Sequence, residues 1–342
     1  MQVRQLQDRA VYPHWDAFVE DCGDASFFHL AGWRDVIAES FGHPVHYLYA
    51  EQDGAVAGVL PLVQVRSRLF GHKLVSLPFC VYGGPAAADA ASREALVAQA
   101  GVLGRQLGVD FLELRNIRPA GDLPVSNRYV TFRRALDADP EKNMAAIPRK
   151  QRAMIRKGAA KGLVPRFDAP LGDFFQVYAE SLRNLGTPVL PRHYFERLQR
   201  VFGPRCQVMT VGPGAQAPAV AAVMSFYFRD EVLPYYGGGT DAAREYHAYD
   251  FMYWELLVHA LGRGVRVFDF GRSRQGTGSY RFKTHWGFEP APLGYQYDLI
   301  RASAIPNVTP DNPRYHTLIG LWRRMPLPVT NIIGPWLAKD LG

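Results

Sequence analysis

Two stretches of the sequence repeat the same order of elements at about the same spacing. The first runs from PFCVYGG (78–84) through an amphipathic helix ending in RQLG to the strand VDFLELR. The second runs from PYYGG (234–238) through a helix ending in ALGRG to the strand VRVFDFG. Because a repeated order of elements marks a repeated structural unit, the sequence predicts two copies of one fold.

Each predicted copy mixes strands and helices without a strict alternation. In the first copy, the Asp53–Gly54 pair between two apolar runs predicts a β-hairpin. Residues 92–108 have apolar residues at helical spacing and precede the next strand. This order predicts an α/β fold with a mixed sheet in each copy. A break at DADPE (137–141) suggests a first domain at 1–137 and a second at 138–300, followed by a tail at 301–342.

The two copies differ in the segment that follows their last strand. The second copy continues into GRSRQGTGSYRFKTHWGFE (271–289), whereas the first has the plainer RNIRPAGDL. The first nine residues of the second-copy segment, 271–279, contain three glycines and are expected to form neither strand nor helix. A basic, glycine-rich loop with aromatic neighbours at the end of a strand is typical of an anion-binding site. The alternative is a basic surface loop between two strands. We expect the site in the second copy.

Several side chains of the second copy are candidates for chemistry. Lys283 is the candidate for stabilising a developing oxyanion or a phosphate, and Tyr236, Tyr280 and Asp269 are candidates for relaying a proton. Bidentate arginine contacts suit a diphosphate. The candidates for substrate binding are Arg272, Arg274, Ser279, Arg281, His285, Trp286, Tyr249 and Asp250.

A second basic feature is IPRKQRAMIRKGAAKG (147–162), which is predicted to be a helix with a thin apolar stripe. It is either a solvated helix docked by one face or a helix that faces phosphate. It lacks aromatic residues for base stacking, so any contact with RNA would involve the backbone. In the second interpretation, the phosphate-binding residues are Arg149, Lys150, Arg152 and Arg156.

Several classes of chemistry lack their usual motifs in this sequence. GxSxG, GxxxxGK[ST], GxGxxG and HExxH are absent, and the three cysteines show no CxxC spacing, so no metal or permanently bound cofactor is expected. The net charge of +7 favours anionic partners without selecting one. Without a signal peptide or a long apolar stretch, a cytoplasmic location is expected, with membrane contact only at a surface. Among the classes of chemistry not excluded in this way, acyl transfer from a large anionic donor to an amine fits the candidate residues.

The segment from YYGGG (235–239) to GFEP (287–290) resembles the FemAB-like group of the GNAT (acyl-CoA N-acyltransferase) superfamily. It is most similar to the FemAB-related proteins associated with exosortase/PEP-CTERM and exopolysaccharide loci. The FK-x-x-(F/W)G element of that group matches Phe282-Lys283 followed by Trp286-Gly287. IPRKQRAMIRKGAAKGL also resembles the opening of the second GNAT domain in that group.

The resemblance implies two tandem GNAT-like domains and transfer of an acyl or aminoacyl group to an amino group. Fem-type relatives use aminoacyl-tRNA on peptidoglycan precursors, other relatives use acyl-CoA, and the family lysine that matches Lys283 lies near the reacting carbonyl. The helical-hairpin arm of tRNA-binding relatives and the phosphate loop of ordinary GNAT enzymes are both missing here. The expected acceptor is an amine of a cell-envelope, peptidoglycan-like or exopolysaccharide precursor. The alternative is a non-catalytic accessory protein of polysaccharide export or PEP-CTERM sorting that binds a nucleotide-linked sugar.

The tail at 301–342 is proline-rich and amphipathic, with Trp322 and Trp336 among its apolar residues. One interpretation is a segment that folds back over a domain. The other is a peripheral membrane or partner contact, which the arginines Arg323 and Arg324 beside Trp322 favour.

Overall fold

The computed structural model describes residues 1–67, 70–305 and 313–342, and the side chains of 313–316 are not part of that description. The strands of the described residues are β1 (Gln2–Gln5), β2 (Leu48–Gln52), β3 (Ala55–Leu60), β4 (Val63–Ser67), β5 (Gly71–Val75), β6 (Ala86–Ala87), β7 (Phe111–Asn116), β8 (Val125–Ser126), β9 (Tyr129–Thr131), β10 (Arg133–Ala135), β11 (Leu163–Phe167), β12 (Cys206–Pro213), β13 (Ala221–Phe228), β14 (Glu231–Gly239), β15 (Val267–Asp269), β16 (Ser273–Arg274), β17 (Ala291–Pro292) and β18 (Gly294–Leu299). The helices are α1 (Tyr12–Asp21), α2 (Gly32–Phe41), α3 (Ala90–Leu107), α4 (Pro140–Ala146), α5 (Arg149–Ala160), α6 (Leu171–Leu185), α7 (Arg192–Phe202), α8 (Ala248–Gly262), α9 (Gly278–His285), α10 (Pro313–Arg324) and α11 (Leu327–Ala338).

The chain forms two compact units. Unit 1 contains Met1–Tyr129, Pro292–Asn312 and Leu337–Gly342, and unit 2 contains Val130–Ala291 and Pro313–Trp336. This division differs from the boundaries expected at 137 and 300. Strand β18, expected in the second domain, pairs antiparallel with β7 of unit 1 along its whole length. The tail is shared, because α10 and most of α11 belong to unit 2.

The described residues of unit 1 form two sheets, in the strand orders β1-β2-β3-β6 and β4-β5-β7-β18-β8. Strands β2 and β3 form the hairpin expected at Asp53–Gly54, and both turn residues have positive φ, as a two-residue hairpin turn requires. Strands β5 and β7 are parallel, and helix α3 connects them. Leu96 and Ala100 of α3 are buried against the strands in an apolar core.

Unit 2 has one six-stranded sheet in the order β10-β15-β14-β13-β12-β11. Its pairs are antiparallel except β14 and β15, which are parallel and joined by α8. Each unit thus contains a parallel strand pair with a helical crossover, and the prediction of a duplicated mixed α/β fold is confirmed. Helices α5 and α8 pack together on one face, and α6 packs on the other face with α7. The remaining sheet, β16-β9-β17, is short.

The segment after β15 is more regular than its glycines suggested. Ser273 and Arg274 form β16, and α9 begins at Gly278, so the expectation of neither strand nor helix over 271–279 is wrong. The physical reason is the residue before the helix. The Thr277 side chain accepts a hydrogen bond from the backbone N–H of Tyr280, which caps the first turn and offsets the cost of Gly278.

Candidate functional site

Strands β14 and β15 separate soon after they start to pair. Only Glu231 with Val267 and Val232 with Phe268 are in register between them. Strand β14 continues to Gly239, whereas Asp269 of β15 pairs with Arg133 of β10. The separation opens at the carboxyl ends of two parallel strands, where α/β sheets characteristically bind ligands. We call the gap between β14 residues 233–239 and the end of β15 the strand cleft.

Lys283 of α9 is fixed beside the end of β15. Its ammonium nitrogen Nζ donates to the carbonyl oxygens of Gly271 at 2.9 Å and Arg272 at 3.1 Å. It also lies 5.5 Å from the centre of the Phe132 ring. The residue is only 8% exposed, and burial lowers its pKa to about 7, against the smaller opposing effect of Asp269. A lysine in this state changes its charge near neutral pH, which is typical of functional groups.

Asp269 and Tyr280 lie in the same neighbourhood. The Asp269 carboxylate accepts a hydrogen bond from the backbone N–H of Gly271 at 2.7 Å and lies 3.4 Å from Arg133 Nε. Lys283 donates to the carbonyl of the same glycine, so Asp269 and Lys283 both hydrogen-bond the backbone of Gly271. The Tyr280 ring packs edge-on against Phe132, 5.4 Å between centres. Three of the four predicted catalytic residues are therefore neighbours, and we call them the lysine cluster.

A second group forms around the first turn of α8. The indole Nε1 of Trp286 donates to Asp250 at 2.9 Å. Burial raises the pKa of this carboxyl, and the hydrogen bond from Trp286, followed by the charge of His247, acts in the opposite direction. Trp286 is fully buried, whereas His285 is exposed. His247 precedes α8 in a left-handed conformation, with φ of 54°, which is uncommon for a side-chain-bearing residue.

Tyr249 and Tyr253 of α8 approach the glycines at the end of β14. A Cβ atom at Gly239 would lie 2.8 Å from Tyr249 Oη, and one at Gly237 would lie 2.9 Å from Tyr253 Oη. The glycine run GGG at 237–239 therefore lets the tyrosines of α8 reach the strand. Burial raises the pKa of both phenols, which stay protonated at neutral pH.

Tyr236 belongs to the opposite face of the sheet. Successive strand residues point to opposite faces, and Gly237 faces α8, so Tyr236 points the other way. There its hydroxyl shares a 2.8 Å hydrogen bond with Tyr194 of α7, and its ring packs against Tyr178 and Phe195. The structure does not group Tyr236 with the lysine cluster.

The other candidates of the 271–289 segment are mostly on the surface. Arg272, Ser279 and Arg281 are exposed, and Arg274 is half-buried. Arg281 donates to the Gly276 carbonyl at 3.0 Å, and the Ser279 hydroxyl lies 3.1 Å from that of Thr277. Arg281 and Ser279 thus support the start of α9 as well as being open to a ligand.

The predicted basic helix is α5. Gln151, Ile155 and Gly158 are its buried residues, and a Cβ atom at Gly158 would lie 2.8 Å from Phe251 of α8. In the described ranges, no carboxylate forms an ion pair with any of its cations. Arg152 is half-buried. The exposed cations are Arg149, Lys150, Arg156 and Lys157. The start of α5 lies near the end of α9, because a Cβ at Gly287 would be 3.1 Å from Pro148 Cδ.

Sequence reasoning missed Phe132, Arg133 and Tyr253, which contact the predicted site residues. Phe132 and Arg133 come from β10, far from the 271–289 segment in sequence, and no local signal pointed to them. Tyr253 follows Tyr249 by one helical turn, so helical spacing alone could have found it. Its ring lies 5.0 Å from that of Phe270 and 5.5 Å from that of Phe282, at the wall of the strand cleft.

The arrangement suits charge stabilisation and positioning. It offers a buried lysine near its titration point, tyrosine hydroxyls and an open strand edge. Within the ranges that the structure covers, no group of three or more His, Cys, Asp or Glu side chains could hold a metal ion. Among the same residues, no helix is both long enough and apolar enough to cross a bilayer.

Residues 144–284 match the family described as "Acetyltransferase (GNAT) domain". No curated protein sequence matches the chain significantly. Among solved structures, FemX is similar with 12% identity and a TM-score of 0.67, covering 93% of this chain and 100% of FemX. The C-terminal domain of a putative lysylphosphatidylglycerol synthetase from Agrobacterium fabrum has 13% identity and a TM-score of 0.57, covering 84% of this chain and 91% of that one. A tandem GNAT protein from the clavulanic acid biosynthesis pathway has 13% identity and a TM-score of 0.55, covering 89% and 99%.

These similarities establish the fold as two tandem GNAT-like domains. The family match covers α5, five of the six strands of the unit 2 sheet (β11 to β15) and α9 up to Thr284, and so includes Lys283. It supports an acyltransferase of the GNAT type. Acyl donors of GNAT domains are acyl-CoA thioesters, and their acceptors are amines.

Proposed function

We propose that the protein transfers an acyl or aminoacyl group from a carrier to an amino group of a cell-envelope, peptidoglycan-like or exopolysaccharide precursor. The observation that carries this proposal is the strand cleft, which opens after two residue pairs within the GNAT-matched segment. An open strand edge can hydrogen-bond an extended, amide-bearing donor as an added strand. The lysine cluster lies at the end of β15, where the acyl carbonyl of such a donor would lie.

The reaction needs no nucleophile from the protein. The acceptor amine attacks the acyl carbon, a C–N bond forms, and the bond from that carbon to the sulfur or oxygen of the carrier breaks. The proton of the amine passes to the leaving thiolate or alkoxide through Tyr280 or water. Lys283 already donates two N–H groups to Gly271 and Arg272. When it is protonated, its third N–H is available to the developing oxyanion.

The donor is either an acyl-CoA or an aminoacyl-tRNA. The family match supports acyl-CoA, and the resemblance to Fem-type enzymes supports aminoacyl-tRNA. The phosphates of either donor are assigned to Arg149, Lys150, Arg152 and Arg156 of α5, together with Arg272 and Arg274. The two donors differ in charge, and a tRNA contacted at several phosphates gives a much steeper salt dependence than a single CoA.

The acceptor class rests on the kind of relatives found. One is the C-terminal domain of a putative lysylphosphatidylglycerol synthetase, and FemX is another. None of the relatives named above is described as exosortase-, PEP-CTERM- or exopolysaccharide-associated, so that finer assignment stays a prediction. A precursor of this kind is assembled at the inner face of the membrane, and a cytoplasmic, peripheral location follows from the proposal.

The non-catalytic alternative has one observation in its favour. Both hydrogen bonds of Lys283 go to backbone carbonyls, as expected of a lysine that only supports a turn. Such a protein would bind a nucleotide-linked sugar without converting it.

The experiment combines donor binding with product analysis. Purified protein is incubated with acyl-CoA or aminoacyl-tRNA and amine-bearing envelope precursors, and acylated products are identified by mass spectrometry. Lys283→Met is expected to lower the rate by about 10²–10³-fold, the usual effect of losing one oxyanion donor. Lys142→Met is the matched control, because Lys142 is exposed and pairs with Asp137 at the surface. Binding of UDP-sugars without turnover of any donor would favour the accessory protein instead.

A further inference from the structure

Helix α11 has one buried side and one exposed apolar side. Thr330 is buried, and a Cβ atom at Gly334 would lie 3.0 Å from the backbone nitrogen of Val189, so this side faces the body of unit 2. On the other side, Ile332 is 78% exposed and Trp336 is 69% exposed. The exposed apolar residues of α11 recur at helical spacing along one face: Val329, Ile332, Ile333 and Trp336.

Helix α10 repeats this arrangement. Its Trp322 is buried, and Arg323 donates to the Leu185 carbonyl at the end of α6. Leu318 and Leu321, one turn apart, are each more than 60% exposed, as is Leu185 itself. Both helices are therefore held to unit 2 by one side and present large apolar side chains on the other. We call the exposed set the tail apolar surface: Leu185, Leu318, Leu321, Val329, Ile332, Ile333 and Trp336.

The charged residues of the segment that forms α10 and α11 are all basic. Residues 313–338 contain three arginines and neither aspartate nor glutamate. Arg323 and Arg324 are exposed at the end of α10, directly before the turn into α11. An apolar helix face with an exposed tryptophan, bordered by arginines and free of carboxylates, has the chemistry of a bilayer interface with anionic head groups.

We propose that the tail apolar surface docks on an anionic lipid surface. The apolar side chains enter the boundary between head groups and acyl chains, and Arg323 and Arg324 contact lipid phosphates. A large exposed apolar surface is unusual on a soluble monomer and marks an interaction site. Protein interfaces commonly use charges of both signs to fix how the two partners are aligned. Because residues 313–338 carry arginines and no carboxylates, we infer a lipid surface as the partner and not a groove of another protein. The proposal does not depend on which reaction the protein catalyses.

The test is flotation of the full chain with vesicles. The wild type is expected to float with vesicles of phosphatidylcholine and phosphatidylglycerol, and much less with phosphatidylcholine alone. Ile332→Ser combined with Trp336→Ser should weaken binding to the anionic vesicles about tenfold or more, because two apolar side chains that enter the bilayer on binding are lost. Arg324→Gln should weaken binding to anionic vesicles only. These side chains are exposed, so the variants are expected to fold.

The matched control is Val201→Ser, which removes an exposed apolar side chain of unit 2 outside the tail apolar surface. It should float as the wild type does. The proposal is overturned if the wild type stays unbound on anionic vesicles, or if the double variant binds as tightly as the control. It is also overturned if gel filtration shows that the wild type is a dimer which the double variant breaks, while neither binds vesicles. That result would assign the surface to a second copy of the chain.

Discussion

Replacing Lys283 by methionine should make the protein less active and more stable at neutral pH. In the folded chain the pKa of Lys283 is about 7, against an ordinary value of 10.5. Between these two values the unfolded chain binds more protons than the folded one, so this lysine makes stability rise with pH. Below pH 7 both states are protonated, and the full cost of burying the charge is present, about 5 kcal/mol from a shift of roughly 3.5 units.

The cost at pH 7 is about 4 kcal/mol, since half of the folded molecules have already lost the proton. Methionine removes that cost, but it also removes the two hydrogen bonds to Gly271 and Arg272, worth together roughly 1–3 kcal/mol. The variant should therefore be more stable than the wild type at pH 7 by about 1–3 kcal/mol. The wild type should recover about 2 kcal/mol relative to the variant between pH 7 and pH 9.

The assay is urea unfolding followed by tryptophan fluorescence at a series of pH values. Subtracting the unfolding free energy of Lys283→Met from that of the wild type cancels every other titrating group. The difference should be nearly flat from pH 5 to 7 and rise from pH 7 to 9. A difference that stays constant from pH 7 to 9 would refute the reasoning, because Lys283 would then keep its charge in the folded state.

Activity gives the complementary measurement. The ratio of wild-type to variant rate cancels the ionisation of the acceptor amine. If the ammonium form donates to the oxyanion, this ratio should fall by up to about tenfold per pH unit above pH 7 as the proton is lost. A ratio that rises with pH would mean that neutral Lys283 acts as a base, and the proposed role would be wrong.

Three further perturbations follow from other parts of the fold. Gly84→Ala would place a Cβ atom 1.8 Å from Asn116 Oδ1, and should cost about 1–3 kcal/mol or prevent folding, as measured by thermal unfolding. Asp250→Asn keeps an acceptor oxygen for its indole partner but removes a carboxyl whose pKa is raised by burial. Its stability relative to the wild type should therefore increase as pH rises above the ordinary value of 3.8, as urea titrations would show. Half-exposed Cys22 should react with a thiol reagent in the native protein, whereas Cys206, whose pKa burial raises, should react only after unfolding.

The sequence predicted the duplicated fold because its signals are local. Turn glycines, helical spacing and strand composition recur in the same order in both halves, and none of these depends on distant contacts. The exchange of β18 into unit 1 could not be predicted in this way. Its pairing with β7 joins residues 294–299 to residues 111–116, and neither stretch carries a local sequence signal that identifies the other as its partner strand.

The candidate site was predicted in part, and the helix α9 explains the difference. When the 271–289 segment is interpreted as a loop, nothing distinguishes the expected positions of Arg281 and Lys283. As a helix, it turns Lys283 inward toward Phe132 and leaves Arg281 exposed. The capping residue Thr277 was the local signal for that helix. Strand alternation could likewise have separated Tyr236 from the α8 face, given that Gly237 faces Tyr253.

The contrast between the two parallel strand pairs explains why unit 2 is the better place for a site. In unit 1, pairing along β7 continues beyond β5, because the Ser76 backbone N–H donates to the Glu113 carbonyl and Gly84 donates to that of Arg115. The guanidinium of Arg115 is buried and bonds the carbonyls of Leu77 and Cys80 at 3.1 and 2.7 Å, so the chain segment 76–84 occupies the edge. In unit 2 the corresponding pairing stops after two residues, and no segment of the described chain follows β14 into the gap as a strand partner on that side. Duplication therefore supplied the same strand pair twice, and the copy that stayed open is also the one that buries a lysine at the end of its second strand.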